Sequence, residues 1–180
     1  MIEEMLFAGF GGQGVLLAGQ LLTQAAMNDG FHASWFPSYG PEMRGGTANC
    51  TVVYADDEIG SPIASQYDTV LVLNQPSLDR FQAYVKPGGQ LIVNVSLIEI
   101  SERREDITFV EVPANELAIK LGSDRSANVV MLGAYSKIKN IIAGETIKSV
   151  VEKTFARKGD KVVEMNRSAL VAGFEAATSV

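Results

Sequence analysis

The sequence predicts an α/β fold: a single Rossmann-like domain over residues 1–180, with a mainly parallel sheet flanked by helices and a helical C-terminal part. Three observations lead to this prediction. Short apolar runs of strand length alternate with segments of helical periodicity up to about residue 113. From residue 114 the periodicity is helical only. No internal repeat or linker divides the 180 residues, a length that suits one core.

The first half of the chain carries most of the predicted strands. Apolar residues at helical spacing predict the first helix, which Gly30 closes as a C-cap glycine would. Pro37 is expected to end the second strand, and Pro76 stands in the first turn of the second helix. In order, the predicted elements are strand 3–10, helix 13–29, strands 31–36, 47–55 and 68–74, and helix 75–85.

The second half begins with a turn and two strands and is helical from there on. The letters KPGG predict a turn at 86–89, and the two apolar runs that follow predict strands. Gly144 and a turn at 157–161 separate the later helices. The predicted elements are strands 90–96 and 107–113 and helices 114–122, 126–143, 145–157 and 166–177.

The composition excludes several classes of site. The chain has one cysteine and one histidine, so it predicts neither a disulfide nor its own iron–sulfur cluster, zinc site or catalytic residue set. Its net charge of −6 argues against nucleic-acid binding. The acidic N-terminus is no signal peptide, and no apolar run reaches the ~18 residues of a membrane helix. We therefore expect a cytoplasmic protein.

A glycine-rich turn follows the first predicted strand. Its glycines match G-x-G-x-x-G between a strand and a helix, the setting in which this motif binds phosphate. The start of the helix presents backbone N–H groups and the positive end of the helix dipole, so an anion is the natural ligand. The candidate ligand-binding residues are Gly11, Gly12, Gln13 and Gly14.

Two other interpretations of this turn stay open. A dinucleotide site needs an acidic residue after the second strand, and none occurs before Glu42. A basic residue for a 2′-phosphate is also missing, unless Arg44 folds back. Alternatively, the glycines only allow the helix to pack closely on the strand.

The loop 37–46 is the second unusual stretch. It has two prolines and no hydrophobic periodicity, and in an open α/β sheet it would lie near the glycine turn. Arg44 could pair with Glu42 as a local brace or reach an anionic group on a partner. The residues expected to face a ligand or partner are Ser38, Tyr39, Gly40, Pro41, Glu42, Arg44, Gly45 and Gly46.

Three single residues need an interpretation. Cys50 lies in a β-branched run and is expected to be buried and unreactive. His32, at the start of a strand, is expected at the surface. Asn128 precedes an apolar helix and is a candidate N-cap.

Three motifs resemble a known family. GFGGQGV, FPSYGPEMRGG and NVVMLGAY are similar to those of the gamma subunit of 2-oxoacid:ferredoxin oxidoreductases, over nearly the whole chain. RGGTANCTVV and NQPSLDRF are most similar to the 2-oxoglutarate branch. These enzymes convert a 2-oxoacid and coenzyme A into an acyl-CoA, carbon dioxide and reduced ferredoxin.

The resemblance implies a subunit that is an enzyme only when assembled. It places thiamine diphosphate, with Mg²⁺, on alpha and beta subunits, and iron–sulfur clusters on beta- and delta-type subunits. This chain would bind no cofactor alone and would meet ferredoxin only through the complex. It would contribute to the entry site of coenzyme A, a co-substrate whose pyrophosphate could contact the glycine turn. The NVVMLGAY motif also makes Asn128 a candidate site residue.

Two alternatives remain. Outside the family, the chain could be a free-standing flavin- or nucleotide-binding protein of Rossmann-like fold. Within the family, it could belong to a pyruvate, branched-chain or indolepyruvate oxidoreductase.

Overall fold

A mixed sheet with helices on both faces runs through the described part of the chain. The structure, a computed structural model, describes residues 1–39 and 46–179. The strands are β1 (Ile2–Phe10), β2 (His32–Tyr39), β3 (Thr47–Ala55), β4 (Tyr67–Val72), β5 (Val85–Asn94), β6 (Thr108–Val112) and β7 (Thr178–Ser179). The α-helices are α1 (Val15–Asn28), α2 (Gln75–Phe81), α3 (Ala114–Lys120), α4 (Ala127–Lys139), α5 (Gly144–Phe155) and α6 (Asp160–Ala176).

The sheet has a parallel centre and antiparallel edges. Within the described residues the strand order is β2-β3-β1-β4-β5-β6-β7. Strands β1, β4, β5 and β6 run parallel, while β3 is antiparallel to both β1 and β2, and β7 is antiparallel to β6. The predicted α/β fold with flanking helices and a helical C-terminal part is confirmed.

The two faces of the sheet carry different helices. Met5 and Phe7 of β1 pack into a large apolar cluster with α1 and α3 to α6. The alternate residues Leu6 and Ala8 pack into a smaller cluster that includes Leu78 of α2. The chain therefore leaves β1 toward one face and β4 toward the other, so the topological switch point lies between these neighbouring strands.

Strand β2 is longer than predicted. It continues through Pro37 to Tyr39, whereas the prediction ended it at residue 36. Among the described residues β2 pairs with β3 alone, so it is an edge strand. Proline is tolerated there because one side of an edge strand has no ladder to complete.

The predicted turn at 86–89 is an irregularity inside β5. Val85 pairs with Tyr67 and Gln90 pairs with Thr69, so β5 advances by more residues than β4 over the same distance. The N–H of Gly88 donates to the carbonyl oxygen of Asp106 at 2.7 Å. The strand therefore bulges at these residues, and the chain does not reverse.

The helix ends agree with the prediction at some positions and differ at others. Gly30 closes α1 as predicted: Gly30 N–H donates to Met27 and Phe31 N–H to Ala26, the pattern of a Schellman motif. Helix α4 ends at Lys139, before the predicted residue 143. Gly144, predicted as a separator, is the first residue of α5. Helix α6 begins at Asp160, six residues before the prediction.

Helices α4 and α6 cross at two glycines. A Cβ on Gly133 would lie 2.0 Å from the carbonyl oxygen of Leu170, and one on Gly173 would lie 1.7 Å from that of Val130. The two backbones therefore touch directly, which only glycine permits at both positions. No helix in the described ranges is long and apolar enough to cross a membrane.

Candidate functional site

The glycine turn between β1 and α1 lies at the topological switch point of the sheet. Gly12 and Gly14 have φ angles of +103° and +76°, in the region that favours glycine. Around the position of a Cβ on Gly12, no heavy atom of the described residues lies within 4 Å. A Cβ on Gly9 would lie 2.7 Å from Gln13 Oε1, so this glycine serves packing. The turn therefore combines a close-packed base with an open tip at Gly12.

Several backbone donors at the turn have no hydrogen-bond partner among the described residues. In the described part of the chain, no acceptor pairs with the N–H groups of Gly12, Gly14, Val15 and Leu16. Gly14, the N-cap residue, has no side chain to satisfy them, and α1 has no acidic residue in its first turn. Free N–H groups at the positive end of a helix dipole favour an anion.

The side chain of Gln13 is half-buried and makes three hydrogen bonds within the fold. Its Oε1 accepts from Phe10 N–H at 2.7 Å and from Asn74 Nδ2 at 3.3 Å, and its Nε2 donates to the Leu73 carbonyl at 3.2 Å. The amide thus joins the end of β1 to the end of β4. We call this set of contacts the Gln13 clasp. It lies at the switch point of the sheet, where ligands of open α/β folds usually bind.

Asn128 supports the turn from α4. It is buried, and its Nδ2 donates to the carbonyl oxygen of Gly14 at 3.1 Å. A Cβ on Gly14 would lie 2.4 Å from the same nitrogen. The prediction that Asn128 caps its own helix is wrong, since the N-cap residue of α4 is Ser126. The side chain is directed at the glycine turn instead.

Three further asparagines at this edge were missed from the sequence. Asn74 caps α2 by accepting from Ser77 N–H at 2.9 Å. Asn94 donates to Asn115 Oδ1 at 2.8 Å and accepts from Ala114 N–H at 3.1 Å. A signal was available, because Asn74 and Asn94 each follow a buried apolar run. The amides of Asn74 and Asn94 therefore accept from backbone N–H groups in the first turns of α2 and α3.

One end of the loop 37–46 meets the glycine turn, and the other end continues β2. Gly11 N–H donates to the Gly46 carbonyl oxygen at 2.8 Å. Ser38 is exposed on β2, opposite Asn49, and the backbone of Tyr39 pairs with Ala48. The remaining predicted residues lie outside the described residues: Gly40, Pro41, Glu42, Arg44 and Gly45.

Comparison with known proteins identifies the family. A family model described as pyruvate ferredoxin/flavodoxin oxidoreductase matches residues 4–176. The chain belongs to this family. The family resemblance predicted from the three motifs is thereby confirmed.

Relatives of the oxidoreductase family match along nearly all of the chain. Ketoisovalerate oxidoreductase subunit VorA from Methanothermobacter marburgensis is 41% identical over 169 residues, which are 92% of this chain and 34% of VorA. 2-Oxoglutarate synthase subunit KorC from Methanocaldococcus jannaschii is 35% identical over 98% of this chain and 95% of KorC. This chain spans about a third of the length of the first curated relatives.

A solved structure agrees with the fold of this oxidoreductase family member. The gamma subunit of keto/oxoacid ferredoxin oxidoreductase from Geobacter sulfurreducens superposes with a TM-score of 0.80 at 32% identity, covering 96% of both chains. The edge strands and the helical C-terminal part are therefore those of a gamma subunit fold.

The side chains of this family member that could bind a metal ion or an iron–sulfur cluster do not cluster in the described residues. Among residues 1–39 and 46–179, no group of three or more His, Cys, Asp or Glu side chains is placed to hold a metal ion. Cys50 is buried as predicted, and burial raises the pKa of its thiol to about 12. His32 is exposed on β2 as predicted. A single protonated thiol does not fit an iron–sulfur cluster, which thiolates bind.

Proposed function

We propose that this chain is the gamma subunit of a 2-oxoacid:ferredoxin oxidoreductase, acting in the cytoplasm. The assembled enzyme would convert a 2-oxoacid and coenzyme A into an acyl-CoA and carbon dioxide, with ferredoxin reduced. The observation that carries the proposal is the family match over residues 4–176, together with gamma-type relatives matched along their full length. The partners would be alpha and beta subunits, with a delta subunit where the clusters need one.

The cofactors of the reaction would belong to the partner subunits. Thiamine diphosphate with Mg²⁺ would supply the decarboxylation chemistry, and iron–sulfur clusters would carry the electrons. The one cysteine is buried and protonated, and no group of three acidic, His or Cys side chains in residues 1–39 and 46–179 is placed to hold a metal ion. The residues of this chain would shape and close the site that the partners carry.

The glycine turn is the part of this chain that we assign to coenzyme A. Its N–H groups at Gly12, Gly14 and Val15 find no acceptor in the described residues, and its tip is open at Gly12. The pyrophosphate of coenzyme A is an anion of suitable size for such donors. Gln13 and Asn128 would act as positioning residues, because their side chain amides are hydrogen bonded to the backbone of the turn.

The alternative of a free-standing flavin- or nucleotide-binding protein has less support. The side chain of Gln13 joins the end of β1 to the end of β4 at the switch point, where a dinucleotide would bind. Strand β3 also lies between β1 and β2, so the end of β2 is two strands away from the glycine turn. A residue there could not hold a ribose bound at the turn in the usual manner.

The 2-oxoacid is 2-oxoglutarate in our proposal. The relatives matched along their full length at 34–35% identity are named 2-oxoglutarate synthase subunits. A branched-chain 2-oxoacid is the second candidate, because the VorA relatives reach 41–43% identity. The substrate is expected to be held mainly by the partner subunits.

An anaerobic pull-down of this chain from its native cells tests the proposal. We expect recovery of thiamine-enzyme subunits and CoA-dependent viologen dye reduction, fastest with 2-oxoglutarate among 2-oxoglutarate, 3-methyl-2-oxobutanoate and pyruvate. Preference for the second acid would keep the family role and replace the substrate. Isolation of the chain alone, yellow with bound flavin and without this activity, would refute the proposal.

A further inference from the structure

An arginine without a carboxylate partner in the described residues lies beside the glycine turn. Arg125 belongs to the 3₁₀ turn Asp124–Ser126, which leads into α4, and its side chain is exposed. Within the described ranges, no carboxylate lies within 4.0 Å of its guanidinium. The backbone of the residue is fixed, since Arg125 N–H donates to Ser123 Oγ at 3.3 Å. The guanidinium is therefore available to a ligand.

The contact between Asn128 and Gly14 places Arg125 next to the turn. Asn128 Nδ2 donates to the carbonyl oxygen of Gly14 at 3.1 Å. Asn128 follows Arg125 by three residues, and residues three apart lie on the same face of a 3₁₀- or α-helix, with Cβ atoms about 5–6 Å apart. Arg125 therefore lies on the helix face that carries Asn128, one turn closer to the start of α4.

Two helix N-termini and the guanidinium give this place a positive potential. Helix α1 begins at Val15 and α4 at Ala127, and neither has an acidic residue in its first turn. Each helix dipole puts about half a positive charge at its N-terminus, which disfavours a cation at Arg125. The neighbouring carboxylate of Asp124 lies about a quarter of a turn around the helix from Asn128. An anionic group bound here would offset the positive charge.

The side chain of Asn128 has a second polar atom at this place. Asn128 is only 2% exposed. Its Nδ2 holds Gly14, but within residues 1–39 and 46–179 no group donates a hydrogen bond to its Oδ1. A buried amide oxygen normally accepts a hydrogen bond. A ligand that fits this place therefore has a hydroxyl or N–H donor beside its anionic group.

We propose that Arg125 binds the 3′-phosphate of coenzyme A, while the N–H groups of the glycine turn bind its pyrophosphate. This inference rests on the proposed function and names the part of coenzyme A that the start of α4 recognises. A phosphate monoester matches the planar guanidinium, which can donate two parallel hydrogen bonds to it. The ribose 2′-hydroxyl beside this phosphate is the donor that Asn128 Oδ1 requires.

Comparison of coenzyme A with 3′-dephospho-coenzyme A in the assembled enzyme tests this assignment. Both compounds carry the pyrophosphate, and only coenzyme A carries the phosphate that Arg125 would bind. In the wild-type enzyme, we expect the KM for dephospho-coenzyme A to be about tenfold higher than that for coenzyme A. In Arg125→Ala, the KM for coenzyme A should rise about tenfold, whereas the KM for dephospho-coenzyme A should not change.

Two further variants control for charge and geometry. Lys161→Ala is the matched control, because Lys161 is an exposed cation in the first turn of another helix, α6, and has no ion pair among the described residues. It should leave both KM values at their wild-type levels. Arg125→Lys should restore part of the preference for coenzyme A, because lysine keeps the charge but not the paired hydrogen bonds.

The contrary outcomes are distinct. Equal rises of both KM values in Arg125→Ala would place the guanidinium on the pyrophosphate and overturn the assignment, and unchanged KM values would overturn it as well. A wild-type enzyme that uses both compounds at the same KM would also refute the role of Arg125. A wild-type assembly without any CoA-dependent dye reduction would instead refute the proposed function.

Discussion

At the scale of single residues, two amide side chains give the glycine turn its shape. Gln13 joins the turn to the ends of β1 and β4, and Asn128 holds the carbonyl of Gly14 from α4. The glycines permit the positive φ angles of the turn, and the two amides hold the turn in one conformation. The conformation of the turn is therefore held by residues that need not touch the ligand.

Alanine substitutions at two glycines of the turn should separate backbone strain from crowding. Gly12→Ala should cost about 1 kcal/mol of unfolding free energy, because φ is positive but the space is open. Gly14→Ala should cost about 3 kcal/mol, because its Cβ would also collide with Asn128. Urea unfolding of both variants measures the difference. Equal losses would contradict the role of the Asn128 contact.

The Gly12→Ala variant also tests the binding of coenzyme A. In the assembled enzyme, Gly12→Ala should raise the KM for coenzyme A, because the added methyl group stands at the open tip of the turn. The KM for the 2-oxoacid should not change. An unchanged KM for coenzyme A would place this ligand away from Gly12.

At the scale of elements, the crossing of α4 and α6 depends on backbone contact. Gly133→Ala or Gly173→Ala should destabilise the protein by about 3 kcal/mol or more, since each Cβ would overlap a backbone carbonyl on the facing helix. Gly60→Ala is the matched control, with no described heavy atom near its Cβ, and should change stability by less than about 0.5 kcal/mol. Thermal unfolding distinguishes them. A neutral result at both crossing positions would mean that the helices can separate freely.

The sequence predicted the elements that depend on neighbouring residues in the chain. It did not predict features that depend on contacts between distant segments. Buried apolar runs and the capping glycine Gly30 carry their own signal. The continuation of β2 through Pro37 depends on its edge position, and the bulge at 86–89 depends on pairing with β4. The role of Gln13 could not be predicted, because its partners Leu73 and Asn74 are about 60 residues away in the chain.

At the scale of the whole molecule, two buried tyrosine hydroxyls and one buried thiol should lower the stability of the fold at alkaline pH. The Tyr54 and Tyr135 hydroxyls are hydrogen bonded to each other, and burial raises the pKa of both. Burial also raises the pKa of Cys50 from 9.0 to about 12. Each group favours folding while protonated, so its contribution is complete at low pH.

The pH dependence of stability follows from these raised pKa values. For Cys50, the contribution should be present below pH 9 and lost as the pH rises from 9 to about 12. We expect the Cys50 thiol to lower the free energy of unfolding over this range by up to about 1.4 kcal/mol per pH unit. Chemical denaturation at several pH values measures this slope, which should be shallower in Cys50→Ala. Identical slopes would contradict the assignment to the thiol.

One hydrogen bond of the Gln13 clasp makes the opening of the glycine turn measurable. The amide N–H of Phe10 donates a hydrogen bond to Gln13 Oε1, so its proton exchanges with deuterium only when this hydrogen bond breaks. In the free chain its exchange rate would measure how often the turn relaxes. A bound anion that needs the closed turn would slow the exchange of this proton, which the anion itself does not touch, together with the N–H groups that bind the anion.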